Sequence, residues 1–210
     1  MSLDFSRVLI VSPHADDGEL GAGGTIARLV ESGSEVHYVA LSTASNVHGM
    51  GHGSQLAAEC SASTAELGIL SQNTKILDFP TRNFDHMRQD ILDELITLRN
   101  LIEPSLVIGP NTGDVHQDHA VVAAEVSRAF KFLTTLRFDT YWNISDMKTN
   151  FFVKLSRSQL QKKIKALGHY ESQLMRPYMA ASQTESLARI RGLQSQSEYA
   201  EAFTLTMGVH

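Results

Sequence analysis

Cysteine is almost absent. Cys60 is the single one in 210 residues, so no internal disulfide can form, and the chain suits a reducing compartment. It lies in QLAAECSASTAELG, a helical pattern in which a small buried packing residue is a better reading than a reactive thiol. An excess of basic residues is also missing. Eighteen Lys and Arg face 23 Asp and Glu, for a net charge of −5. A nucleic-acid binder needs a basic face, which this composition does not supply. No apolar run is long enough to span a bilayer. The opening MSLDFSRVLIVS has an acidic residue ahead of its short apolar run and no small-residue cleavage site, so it reads as a strand and not a signal peptide. These absences place the protein in the cytoplasm. There is no repeat, low-complexity segment or linker, and residues 1–210 are expected to form one domain.

What is present alternates. Short apolar runs at Arg7–Ser12, Val36–Leu41, Lys75–Phe79 and Leu106–Gly109 read as buried strands. Between and after them, helical patterns occupy Glu19–Ser32, Gln55–Leu67, Met87–Ile102 and about Asp118–Phe130. This order implies an α/β fold with a mostly parallel sheet and helices on both faces, a Rossmann-like three-layer sandwich. Leu136–Trp142 and Phe151–Leu155 are expected as further strands, and Gln159–Leu167 and Thr184–Glu201 as helices. The glycine-rich Asn46–Ser54 reads as the most flexible loop.

In parallel α/β sheets, ligands bind outside the carboxyl ends of the strands. Two polar clusters fall there. Pro13–Glu19 (PHADDGE) follows the first strand and Asp114–His119 (DVHQDH) the fourth, and they meet if those strands are neighbours. Two adjacent carboxylates after a buried strand repel unless a cation joins them. One of Asp16 and Asp17 can bind a metal while the other faces substrate. His14 can add a nitrogen ligand and His119 a second. A carboxylate and two imidazoles with one open position make a catalytic zinc site. Taken singly, Asp-Asp is more often a solvated turn and His-x-Asp-His a helix cap; their convergence at one edge is what favours a metal.

SPHADDGELGAGGTIARL resembles the first signature of the PIG-L/LmbE-type N-deacetylases, and DVHQDH resembles their second, His-x-Asp-His. The likeness continues at HYESQ (His169–Gln173) and YAEAF (Tyr199–Phe203), in matching order, with Ala15 standing where many members carry proline. The resemblance implies Zn2+, or another divalent metal, held by His14, Asp17 and His119. It implies Asp16 as general base and His116 as the group that stabilises the tetrahedral intermediate, with Asp118 hydrogen-bonded to His116 and favouring its protonated form. The implied substrate is a small N-acetylated sugar or sugar conjugate; nothing in the chain selects which, and a homo-oligomer stays open.

Other residues carry weaker signals. Gly21, Gly23 and Gly24 suggest a dinucleotide fingerprint, but Ile26 stands where the third glycine belongs, so close approach of helix to strand is the better account. Arg82 after the third strand and His48 in the glycine-rich loop are candidates for substrate contact; a surface arginine and an exposed loop are the plainer alternatives. His52 shares that loop, His169 could pack near the site, and Trp142 shows no pattern beyond packing. A receiver domain would share an acidic pair after strand one, but it needs a late lysine and leaves DVHQDH unexplained. A zinc hydrolase of another amide or an ester, and a non-catalytic sugar-binding homologue, remain rivals.

Overall fold

The computed structural model describes residues 5–144 and 148–208. Strand β1 (Arg7–His14) is followed by α1 (Asp17–Glu31), β2 (Glu35–Ser42), the short α2 (Ser45–His48) and α3 (Met50–Glu66). Then come β3 (Thr74–Ile76), α4 (Arg88–Ile102), β4 (Leu106–Pro110), α5 (Gln117–Ala129) and β5 (Thr134–Phe138). The chain closes with β6 (Phe151–Leu155), α6 (Arg157–Gly168), α7 (Ala181–Ser195) and β7 (Tyr199–Met207). One sheet runs β3-β2-β1-β4-β5-β7-β6. The first five strands are parallel, and β7 lies antiparallel between β5 and β6. This is the expected Rossmann-like sandwich.

Alternation along β1 explains the layers. Val8 and Ile10 pack on one face with Ile26 and Leu29 of α1, Cys60 of α3 and Leu160 of α6. Leu9 and Val11 pack on the other with Ile91 and Leu95 of α4 and Val122 and Val126 of α5. A strand covered on both sides reads as a continuous apolar run, as RVLIVS does. Cys60 is buried, and burial raises its thiol well above the ordinary range, in keeping with a packing role.

The order in which strands are added reverses at β1. The connection leads to β2 on one side, while β4 pairs on the other, with Leu9 opposite Val107. That switch point opens a crevice at the carboxyl ends of β1 and β4, where the two polar clusters meet as expected.

The glycines of α1 do permit close packing. A Cβ on Gly21 would fall 2.3 Å from Phe138 of β5, and one on Gly24 would fall 2.4 Å from Leu155 of β6.

Four expectations need correction. The strand expected over Lys75–Phe79 spans only Thr74–Ile76. The helix expected over Thr184–Glu201 ends at Ser195, and Tyr199 begins β7. Gly192 sits so close to the carbonyls of Ser197 and Glu198 that the chain must turn there, with Gln196 left-handed at φ 55°. The strand expected over Leu136–Trp142 ends at Phe138, because Asn143 bonds back to Thr140 and closes a turn. The loop expected over Asn46–Ser54 is mostly helical, broken at Gly49. Gly53 allows this by packing against Thr43 and Ser45, where a Cβ would meet Ser45 at 2.6 Å.

Candidate active site

The turn after β1 is held from behind. Ser12 Oγ accepts the Gly18 N–H at 2.8 Å and donates to the His14 carbonyl at 2.5 Å. The Ala15 carbonyl accepts from Tyr38 Oη at 3.0 Å and from Tyr170 Oη at 2.6 Å. Both hydroxyls also contact the buried Glu19 carboxyl. Tyr170 comes from the HYESQ segment, so that late segment reaches the site through its tyrosine. His169 faces partly outward instead, 3.6 Å from Glu66.

Glu19 is an unusual residue to bury. Desolvation raises it to about 7, against the lowering effect of the tyrosine hydroxyls. Two hydroxyl protons serve four contacts, and a proton on Glu19 supplies a third. The sign of the linkage follows. Between the ordinary 4.5 and about 7, the folded chain keeps a proton that the unfolded chain has lost. Stability attributable to Glu19 therefore falls as pH rises through that window and is level above it, by on the order of 3 kcal/mol. Glu19→Gln should remove this slope: urea midpoints of wild type and variant should diverge from pH 5 to pH 8 in the variant's favour. Parallel pH curves would refute it.

Three ligand-type atoms converge in front of the turn. His14 Nδ1 and Asp17 Oδ2 are 3.0 Å apart, Asp17 Oδ2 and His119 Nε2 are 3.0 Å apart, and His119 Nε2 and His14 Nδ1 are 3.3 Å apart. Ligands of a tetrahedral ion with bonds of about 2.0–2.1 Å are separated by roughly 3.3 Å, so these residues fit a divalent metal. Each imidazole also turns its other nitrogen to a carboxylate. His14 Nε2 meets Asp118 Oδ2 at 3.0 Å, and His119 Nδ1 meets Asp114 Oδ2 at 2.7 Å. A carboxylate behind each histidine is the usual support of a metal ligand. Burial opposes charge on both rings, but these carboxylates and Asp17 raise His14 to about 9 and His119 to about 10. The same histidines stabilise Asp17 as the anion, well below the ordinary range despite its burial. His116 stands beside them: donor atoms of His14, His116 and His119 all lie within 4.8 Å, a cluster able to hold a divalent metal.

Asp114 is a residue that sequence reasoning left without a role. Its Oδ1 accepts the His116 N–H at 2.8 Å, and Thr140 donates to its other oxygen. Asp118 differs from expectation. Its carboxylate engages His14 and the Arg82 N–H, while only its backbone N–H reaches His116, donating to Nδ1 at 3.2 Å. Accepting at Nδ1 leaves the His116 proton on Nε2. Burial and the neighbouring His119 and His14 lower the His116 pKa below its ordinary value, against the raising effect of Asp118 and Asp17.

Asp16 is positioned otherwise. It is the residue before α1, yet its side chain caps nothing. It makes no side-chain hydrogen bond or ion pair with another described residue, is mostly buried, and lines the same cavity as His14, Asp17, His116 and His119. Burial and the Asp17 charge raise it to about 6, against the opposing pull of His14 and Arg176.

The cavity measures about 280 Å³. Arg82, His48 and His52 line it, as do Trp142, Arg176 and Tyr178, which sequence reasoning did not place there. The Trp142 and Tyr178 rings stack at 4.0 Å and 7°. His48 and His52 lie 4.8 Å apart, ring to ring. Arg82 takes the left-handed conformation at φ 66°, which costs a non-glycine residue about 1 kcal/mol or more. It is pinned there by Asp118 on its N–H and by the Gln117 amide on its carbonyl, both at 2.8 Å. A second cavity of about 30 Å³ beside Lys163 and Glu201 has room for little more than water; it shares the Tyr178 side of the site cavity but is lined by none of the histidines, Asp16, Asp17 or Arg82.

The fold and the histidine cluster together define an α/β protein whose site at the sheet's switch point is able to hold a divalent metal. Residues 9–130 match the family described as PIG-L, GlcNAc-PI de-N-acetylase, and the chain belongs to that family. The chain is similar to the diacetylchitobiose deacetylase of Thermococcus kodakarensis, 27% identical over 98% of this chain and 85% of that protein. Among solved structures, it resembles the conserved protein TT1542 of Thermus thermophilus, with a TM-score of 0.80 at 22% identity, covering 99% of this chain and 97% of the other. It also resembles the 4-carboxy-2-hydroxymuconate hydratase of Pseudomonas putida, with a TM-score of 0.80 at 18% identity and 98% of both chains covered. Family membership and the histidine cluster support metal-dependent catalysis. Among the described residues, no helix is long and apolar enough to cross a membrane.

Proposed function

We propose that this protein is a zinc-dependent hydrolase that removes an acetyl group from the amino nitrogen of an N-acetylated sugar or sugar conjugate. The observation that carries the reading is one cavity wall. There the His14–Asp17–His119 triangle stands beside Asp16, a buried carboxyl that makes no side-chain hydrogen bond or ion pair with another described residue. His14, Asp17 and His119 would hold the metal, which when bound polarises the amide carbonyl and acidifies water. Asp16 takes the proton from the water that attacks that carbonyl. His116, with its proton on Nε2, donates to the oxygen on which negative charge develops, a contact worth roughly 3–4 kcal/mol for one well-placed donor. The proton taken by Asp16 is then available to the departing amine. Arg82 and His48 contact the sugar or its substituent, and the Trp142–Tyr178 stack offers an apolar face beside them. Asp118 supports His14 and so acts through a ligand. The single buried cysteine fits a reducing, cytoplasmic setting.

Because the same fold also carries a hydratase, the assay must identify the product. Metal-loaded protein given a panel of N-acetylated amino sugars should release acetate and a free amine in equal amounts, and a chelator should stop both. Metal-loaded protein that releases no acetate from any of them, yet cleaves esters or hydrates an alkene, would replace this reading.

A further inference from the structure

Two arginines line the site cavity. Arg82 lines it, and among the described residues its guanidinium has no hydrogen bond or ion pair; only its backbone is engaged. Arg176 lines it too; its guanidinium donates to Tyr178 Oη and, among the described residues, forms no ion pair with a carboxylate, the charges of Asp16 and Asp17 acting on it from beyond contact distance. Of the two carboxylates in the cavity, Asp17 is committed to His14 and His119, which leaves Asp16 alone against the two arginines.

A surface arginine with no partner is common, but Arg82 differs in two respects. Its backbone is strained at φ 66°, and it is held there from both sides by the first turn of α5, the helix that presents His119. Strain that the surroundings enforce is found where function needs a fixed direction. Arg176 is similarly anchored, because Tyr178 is stacked on Trp142. A guanidinium presents a planar fork of donors that matches a carboxylate or phosphate better than it matches a sugar hydroxyl.

We infer that the substrate carries an acidic group, a carboxylate or a phosphate, on the sugar or its aglycone, and that Arg82 and Arg176 bind it. This rests on the cavity being the substrate site proposed above. It narrows the substrate from any N-acetyl amino sugar to an anionic one and makes the two arginines specificity determinants.

The test compares the carboxymethyl glycoside of N-acetylglucosamine with its carboxamide, which has the same size without the charge. N-acetylglucosamine 1-phosphate and 6-phosphate separate phosphate from carboxylate and one position from another. Turnover is read on wild type. Binding is read by calorimetry on metal-loaded Asp16→Asn protein at constant ionic strength, so that nothing is consumed. At least one acidic compound should exceed the neutral carboxamide tenfold or more in kcat/KM and in affinity. Arg82→Asn should reduce that ratio to near one. Asparagine tolerates the left-handed backbone, so the change removes the charge and spares the turn. Arg176→Gln provides a second variant outside the strained segment, with the same expected loss of preference. Equal binding of all the acidic compounds and the amide, or a preference that survives both substitutions, overturns the inference. Acid-selective binding with no acetate released would keep the anion site and remove the deacetylase reading. Acetate release with no acid preference would do the reverse.

Discussion

Asp16→Asn is expected to keep its metal and lose about 10²-fold or more in kcat, the scale of a positioned general base. Structure gives the substitution little else to disturb. The Asp16 side chain does not cap α1 and bonds to no other described side chain or backbone group. Asparagine matches it in size and cannot accept a proton. Burial and the adjacent Asp17 charge place Asp16 at about 6, where it is mostly ionised at neutral pH and still basic enough to take a proton. Melting temperature and metal content, measured on the same preparation as turnover, separate lost chemistry from lost folding. An Asp16→Asn protein that loses the metal would mean that the two neighbouring carboxylates have exchanged roles.

The meeting of the two polar clusters at the strand ends was legible because its information is local. HADDG and DVHQDH each hold their polar groups within a few residues, and two apolar runs fix the strands that present them. What escaped depends on distant pairing. Tyr199–Met207 forms a strand because β5 and β6 flank it and because Glu201 finds Lys163 at 2.6 Å and the N–H groups of Gly24 and Thr25. None of those partners is visible in the periodicity of Thr184–Glu201. The support given to His14 by Asp118 spans 104 residues, whereas the expected contact with His116 lay within the same short motif. Trp142 and Tyr178 lie in segments with no repeating pattern and become a site feature only by stacking on each other. Glycine content suggested a loop at 46–54, yet tertiary contacts at Gly53 override that propensity. The family resemblance bridged part of this gap, since HYESQ marks the segment whose Tyr170 grips the Ala15 carbonyl.

The largest expected effect concerns which residues would hold the proposed metal, for which two ligand sets compete on geometry. Donor atoms of His14, His116 and His119 fall within 4.8 Å. The set His14, Asp17 and His119 is tighter, at 3.0–3.3 Å, and includes a negative charge. His116 is further distinguished by its Nδ1, which accepts a backbone N–H, and, among the described residues, no side-chain carboxylate bonds to its ring. His14 and His119 each have one. His119→Ala and Asp17→Asn should therefore purify without stoichiometric metal and lack measurable turnover, whereas His116→Ala should keep the metal and lose about 10²–10³ in kcat. Asp118→Asn and Asp114→Asn, which weaken the support behind each imidazole, should bind metal roughly 10- to 100-fold less tightly. Metal binding to wild type at neutral pH should also release protons, because His14 and His119 hold theirs to about 9 and about 10. Metal content by elemental analysis decides between the sets: loss of metal in His116→Ala with retention in Asp17→Asn would make the three histidines the ligands and free Asp17 for another task.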